Sequence, residues 1–313
     1  MQRQLTFGGG VSPRNTRLRG QSIIEYVLIA AVIGLVVVFA GPQVSGAIRN
    51  QLNQVTNTVD SGTDGDSFMS AEEKAYREAM KTVVNKDAKD WTLDEQKAVA
   101  DDIAAKGEVS AVYAKAEAAM DAGTKWSVKL TNGKTLEYRI IGINHDRLAD
   151  GSVGAGLTFE ATNNALDAQR MCTTDNYSNS WEESELRARL NTGDLWALLP
   201  SELQSKVETV AKETNAEDGE PLDATNKVFL LSMAEIYGDL DSDEYPEGYQ
   251  YEYFQSKGVT MSSYSGASSD NWHWTRSARR GNTSYFYYVN SNGSCGSDGN
   301  VGYPLYVFPA WCF

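Results

Sequence analysis

Three cysteines (Cys172, Cys295, Cys312) and two histidines (His145, His273) in 313 residues leave little material for chemistry. Three thiols are too few for a disulfide framework. None stands in a CxxC pair that would grip zinc, so there is room for one bridge and one spare thiol. The shortage of histidine supports no Ser/His/Asp arrangement, and His273, set between two tryptophans, sits where packing is the commoner use. Positive charge is short too. Lysine and arginine number 28 against 42 acids, a formal charge of -14 that becomes -18 without Arg3, Arg14, Arg17 and Arg19. So acidic a chain is no nonspecific nucleic-acid binder. After Lys257 there is neither lysine nor glutamate, and no fixed-period repeat runs through the chain.

What is present begins with an apolar run. Arg14, Arg17, Arg19 and Gly20 lead into QSIIEYVLIAAVIGLVVVFAG, broken only by Glu25. Ile23 to Gly41 is 19 residues, about 28 Å of helix and a match for a bilayer core. A carboxylate facing lipid there costs roughly 2 to 3 kcal/mol, so it needs a partner. Cleavage after Gly20 would supply one. Gln21 would become the N-terminus, Glu25 the fifth residue, and the terminal ammonium of a neighbouring subunit could meet the carboxylate.

These residues resemble the prepilin N-terminus of type IV pilins, and RGQSIIEY is closest to the short form of tight-adherence (Flp) pilins. The resemblance implies a leader over 1–20 and a transmembrane, pilin-like helix over 21–60. It also implies prepilin peptidase, the pilus assembly machinery, other pilin subunits and the membrane as partners, on the extracellular face of the cell. A signal anchor, or a signal peptide cut near Gly46, would use the same arginines and apolar run. All three export the chain.

Past Pro42, Val44, Ile48, Leu52, Val55 and Val59 continue a helical stripe. Residues 61–69 read as a linker. Residues 70–123 read as a helical spacer: Ser70 caps AEEKAYREAMKTVV, Thr92 and Glu95 form a capping box, and Gly107 and Gly123 are stops. From Trp126 the period becomes two, with strands on either side of Asn132-Gly133, opening a domain over 124–313. Within it, Ser180 is placed to cap NSWEESELRARLN, SELQSKVETVAKET reads as a helix after Pro200, and KVFLLS reads as a strand. The rest is loop-rich β with almost no helix signal.

A second resemblance covers residues 126–313. YRIIGI (138 to 143), Trp181, Ser184, Leu186, Arg187, Leu190 and Asn191, Lys227 to Ser232 with Glu235, Trp274-x-Arg276-Ser277, Tyr288-Val289 and Pro309-Ala310 resemble a bacterial surface-domain family. Its fold is C-type-lectin-like, related to that of the formylglycine-generating enzyme. The implied fold class is therefore α+β: a transmembrane pilin-like helix, a helical spacer and a C-terminal C-type-lectin-like domain. Thr275, Ala278 and Phe308 depart from the family pattern, as a surface diversified by a retroelement would.

Residues 262–303 hold 10 Ser, 6 Gly, 5 Tyr and 5 Asn, 26 of 42 positions, which suits recognition. A loop-rich β domain also needs such residues for turns, with Trp272, Trp274, Phe286 and Phe308 in its core. The candidate ligand contacts are Trp272, His273, Thr275, Arg279, Arg280, Tyr285, Tyr287, Asn290, Asn292 and Tyr303. Arg279 and Arg280 could meet an anionic group, whereas Arg276 follows the family pattern as a structural residue.

Asp239-x-Asp241-x-Asp243-Glu244 clusters oxygen ligands. An EF-hand is excluded by Glu244 and Gln250 at its sixth and twelfth positions. Cys295 and Cys312 fall where the related oxidase carries a copper-binding pair, but spacing and flanks do not match. No catalytic residue, metal or cofactor is expected. The expectation is an anchored adhesin that binds a protein or glycan on a surface. Its rivals are a structural minor pilus subunit and a formylglycine-generating-like oxidase.

Overall fold

The computed structural model describes residues 70–152, 154–173, 180–215, 221–238, 247–279, 281–282 and 284–313. The leader, Gly20, Gln21 and Glu25, the helix over 21–60, the linker and the acidic run from Asp239 to Glu244 all lie outside the described residues. The expected fold class is corrected at its membrane element, because among the described residues no helix is long and apolar enough to cross a membrane. The longest helix among them has 14 residues, about 21 Å against a bilayer core of about 30 Å. The described residues form a mixed α+β unit.

Its first two helices start where side chains cap them. Helix α1 (Ala71–Val83) follows Ser70, whose Oγ accepts from the Glu73 N–H at 3.0 Å. Helix α2 (Leu93–Lys106) opens on the reciprocal Thr92–Glu95 box. Helix α3 (Tyr113–Asp121) buries Ala116, Ala119 and Met120. Residues 70–123 do not stand apart from the strands as a spacer would. Val99, Ala100 and Ile103 of α2 belong to the same hydrophobic core as the strands that follow. The contact is close enough to require glycine: a Cβ on Gly156 would lie 1.8 Å from the Ala100 carbonyl oxygen. Trp91 stacks on Trp126 with ring centroids 6.4 Å apart, tying the helices to the first strand.

The first sheet starts with the Asn132-Gly133 hairpin, which joins β1 (Lys125–Lys129) to β2 (Thr135–Ile143). It continues through β3 (Leu157–Ala161). The C-terminal strand, β12 (Ala310–Cys312), returns to its middle between β3 and β7 (Val228–Phe229), giving the order β1-β2-β3-β12-β7, antiparallel throughout. A second sheet has the order β10 (Cys295–Asn300), β9 (Tyr285–Val289), β8 (His273–Ala278), β11 (Leu305–Tyr306), β4 (Ala168–Gln169). Only the β8–β11 pairing in it is parallel.

After β4 the motif residues work as clamps on the stretch from Asn226 to Val228. Helix α4 (Glu185–Asn191) is capped by Ser184 rather than Ser180. Trp181 Nε1 and Arg187 Nε both donate to Asn226 Oδ1, and Asn191 Nδ2 donates to the Val228 carbonyl while its Oδ1 accepts from Lys227 N–H. After Pro200 the expected long helix is one turn, α6 (Ser201–Gln204), following α5 (Asp194–Leu198). The chain then enters β5 (Val210–Asn215), paired with β6 (Pro221–Asn226). Val210, Lys212 and Thr214 all face inward, so a period of two overrides the helical reading. Two short helices interrupt the region expected to be nearly helix-free: α7 (Met233–Tyr237), opened by a Ser232–Glu235 capping box, and α8 (Glu252–Ser256).

Candidate functional site

Two clusters of charged side chains stand on the core, one sealed and one open to a cleft. In the closed one, Lys212 Nζ contacts Asp146, donates to Glu235 Oε1 at 2.8 Å and to Tyr251 Oη at 2.6 Å, while Arg276 pairs with Glu235. All are buried. Burial alone would raise the Glu235 carboxyl, but Arg276 and Lys212 more than reverse it and hold it below the ordinary range. Asp146 is likewise held at about 2, burial being outweighed chiefly by Lys212. Ser277 adds a bond to Glu247, and Arg276 Nη2 donates to the Glu247 carbonyl at 2.7 Å. This network joins the segment after β2 to β5, α7 and β8.

The open place is a cleft of about 200 Å³ where the edge of the first sheet meets the loop before β8. Arg139 on β2 and Glu160 on β3 are register partners and form a 2.8 Å ion pair on one wall. The Arg139 guanidinium also donates to Tyr253 Oη at 2.7 Å and lies 3.9 Å above that ring. Ser268, Ser269, Asp270 and His273 form the facing wall, and Phe254, Phe308, Ile236 and Val289 are the apolar lining.

His273 stacks on Phe308 at 4.4 Å, and its Nδ1 lies 3.2 Å from Ser269 Oγ. Burial, with a smaller push from Arg139, lowers its pKa to about 4, so the ring is neutral at pH 7. Glu160 goes the other way from Glu235: burial raises its pKa, and Arg139 offsets that only in part.

Across residues 270–272 lies a second hollow of about 300 Å³, bordered by Asn271, Trp272, Ser291 and Tyr306. Trp272 is 50% exposed yet fixed. Its ring stacks on Tyr288 at 5.4 Å, its carbonyl accepts from Tyr306 N–H at 3.0 Å, and Tyr288 Oη donates to Asp298 at 2.9 Å. Beneath it the sheet needs a glycine: a Cβ on Gly299 would lie 2.5 Å from the Trp274 ring and 2.8 Å from the Phe286 carbonyl oxygen.

The ten expected contacts therefore separate. Trp272 and Asn292 are exposed and Asn290 is half-buried at the end of β8 and β9 where His273 pairs with Val289. Arg279 is exposed and Tyr285 half-buried at the opposite end of these strands, where Arg279 N–H donates to the Tyr285 carbonyl. Tyr303 is 64% exposed and Tyr287 is half-buried.

One expectation is corrected: Thr275 is fully buried and donates to the Tyr287 carbonyl at 2.7 Å. His273 is buried as a wall of the cleft. Arg280 lies outside the described residues. Sequence reasoning missed Arg139, Glu160, Thr162 and the serines of the cleft; the available signal was a glutamate inside LTFEA, a strand buried along its whole length.

Among the described residues no group of three or more His, Cys, Asp or Glu is placed to hold a metal ion. Cys312 Sγ lies 3.3 Å from Asp146 and Cys295 Sγ 3.6 Å from Met233 Sδ. Burial pushes the Cys295 thiol to about 12 and Cys312 well above its ordinary value.

Residues 157–313, half of the chain, match a domain family described as "Domain of unknown function (DUF6273)". No curated protein and no solved structure matches. The matched span starts at β3, so Glu160 and His273 fall inside it and Arg139 outside.

Proposed function

For a chain that belongs to the family of DUF6273 domains, we propose a recognition function: the second sheet presents a fixed aromatic shelf around Trp272 that binds a protein or glycan displayed on a surface. The observation that carries this reading is a tryptophan half exposed to solvent and held from beneath by Tyr288 and through its backbone by β11. A free tryptophan has no structural need for such support. Holding it in place lowers the ordering cost when a partner covers it. The neighbouring Asn271, Ser291 and Asn292 supply short hydrogen-bonding groups that order cheaply.

Chemistry on a ligand is the weaker reading. The two thiols of the C-terminal part have separate partners and raised pKa values, the reverse of what a reactive thiolate needs. The titratable groups of the closed network face one another.

The test is binding of the full-length chain to protein and glycan arrays, wild type beside Trp272→Ala. Loss of the wild-type signal by about 10-fold or more, with unchanged melting temperature, is the expected result for an aromatic anchor. An unchanged signal moves the site elsewhere, and a wild type that binds nothing leaves a structural role as the better account.

A further inference from the structure

We infer that the cleft between Arg139 and His273 is a pocket for one uncharged, hydroxyl-rich ligand unit, a single sugar residue, seated beside the Trp272 shelf. The inference rests on the recognition reading and names the class of ligand. Its first support is hydrogen-bonding capacity that folding leaves unused. Arg139 Nε and Thr162 Oγ1 are both buried without a hydrogen-bond partner, and both residues line this one cavity. Such atoms carry a desolvation cost that a bound group recovers. Arg276 Nε is unpaired too, but its side chain is 0% exposed and sealed, whereas that of Arg139 is 19% exposed at a cleft. The coincidence of two unpaired atoms with one cavity marks the site.

Charge then selects the ligand. Lys125 and Arg139 are opposed by Glu160 and Asp270, two charges of each sign around a small volume. A carboxylate would gain from one pair and be repelled by the other, and so would an ammonium group. A hydroxyl escapes this conflict because it accepts from Arg139 Nε and donates to Glu160 or to a neutral ring nitrogen. His273 provides that neutral ring. The lining of Phe254, Phe308, Ile236 and Val289 suits the apolar C–H face of a sugar ring, below a rim of hydroxyl-binding groups.

The test uses the full-length chain and ligand-observed NMR with the methyl glycosides of glucose, galactose, mannose and N-acetylglucosamine. Acetate, glycine and N-acetylalanine methylamide serve as competitors. At least one glycoside should bind, and Thr162→Val should weaken it by about 5-fold or more while raising the melting temperature, since an unpaired hydroxyl is removed. Arg139→Lys should weaken binding in the same direction.

Absence of binding by all four glycosides, or binding indifferent to Thr162→Val, overturns the inference. Displacement by acetate or by the amide overturns the choice of a neutral sugar. If these fail while array ligands still depend on Trp272, the recognition reading stands without this pocket. If both fail, neither stands.

Discussion

Glu235 and Glu160 are both buried and both paired with an arginine, yet their surroundings differ by one cation. Glu235 has Arg276 and Lys212, and its carboxylate is held more firmly ionised than in water. Glu160 has Arg139 alone, and burial wins. The first arrangement satisfies itself. The second leaves a guanidinium nitrogen and a neighbouring hydroxyl unpaired at a cleft. Identical residue types thus close the fold in one place and stay available in another. The distinction lies in how many partners converge and whether solvent can reach them.

The same kind of truncation should therefore cost very different amounts. Lys212→Met leaves Asp146 and Glu235 short of a cation in a sealed site and should destabilise the protein by about 3 to 5 kcal/mol. Arg139→Met, at a cleft where water can enter, should cost about 1 to 2 kcal/mol. Urea unfolding of the two variants side by side measures the contrast, and equal losses would mean that the cleft is as closed as the network.

The two histidines sharpen the comparison through pH. His273, in the cleft, has a folded pKa of about 4 against roughly 6.5 unfolded. The unfolded chain binds its proton first as pH falls, so stability drops from about pH 6.5 down to about pH 4, by on the order of 3 kcal/mol. His145 stacks on Tyr251 and meets Glu252 at 3.2 Å. Burial opposes its charge, but Glu252 and Asp146 outweigh burial and raise its pKa. Its contribution is complete below about pH 6.5 and is lost as pH rises through the raised value. Melting temperatures across pH 4 to 8 should peak near the junction. His273→Gln should flatten the acid limb only, and His145→Gln the alkaline limb only.

What the sequence displayed openly was local. Ser70, the Thr92–Glu95 box and the Asn132-Gly133 turn each act within a few residues, so contiguous chemistry discloses them. The Trp181–Asn191 motif was equally legible as a pattern. Only the structure shows that it serves Asn226 and the strand beyond it. VETVAKET was misread because it fits both periods, and the inward burial of Val210, Lys212 and Thr214 decided between them. The cleft was not legible at all. Arg139, Thr162 and His273 come from three distant stretches, and no spacing rule connects residues that meet only through the pairing of β2 with β3 and the packing of the two sheets. The surface of 262–303 was visible as composition, but composition could not show that Trp272 and Arg279 sit at opposite ends of two strands.

The smallest effect tests how far the shelf itself is prearranged. Tyr288 carries the Trp272 ring, and its hydroxyl is fixed by Asp298; burial and that bond together push its pKa up to about 12. Tyr288→Phe keeps the ring and deletes only the bond, so it should cost about 1 kcal/mol or less in urea unfolding. If the shelf is rigid because its ring is tethered from below, the freed phenyl ring lets Trp272 sample solvent more widely. Its fluorescence should shift to the red and become more accessible to iodide, and array binding should weaken without new contacts being lost. If the emission and quenching stay at their wild-type values, the stacking and the β11 backbone bond suffice to hold Trp272. The shelf would then resemble the closed network more than the cleft beside it.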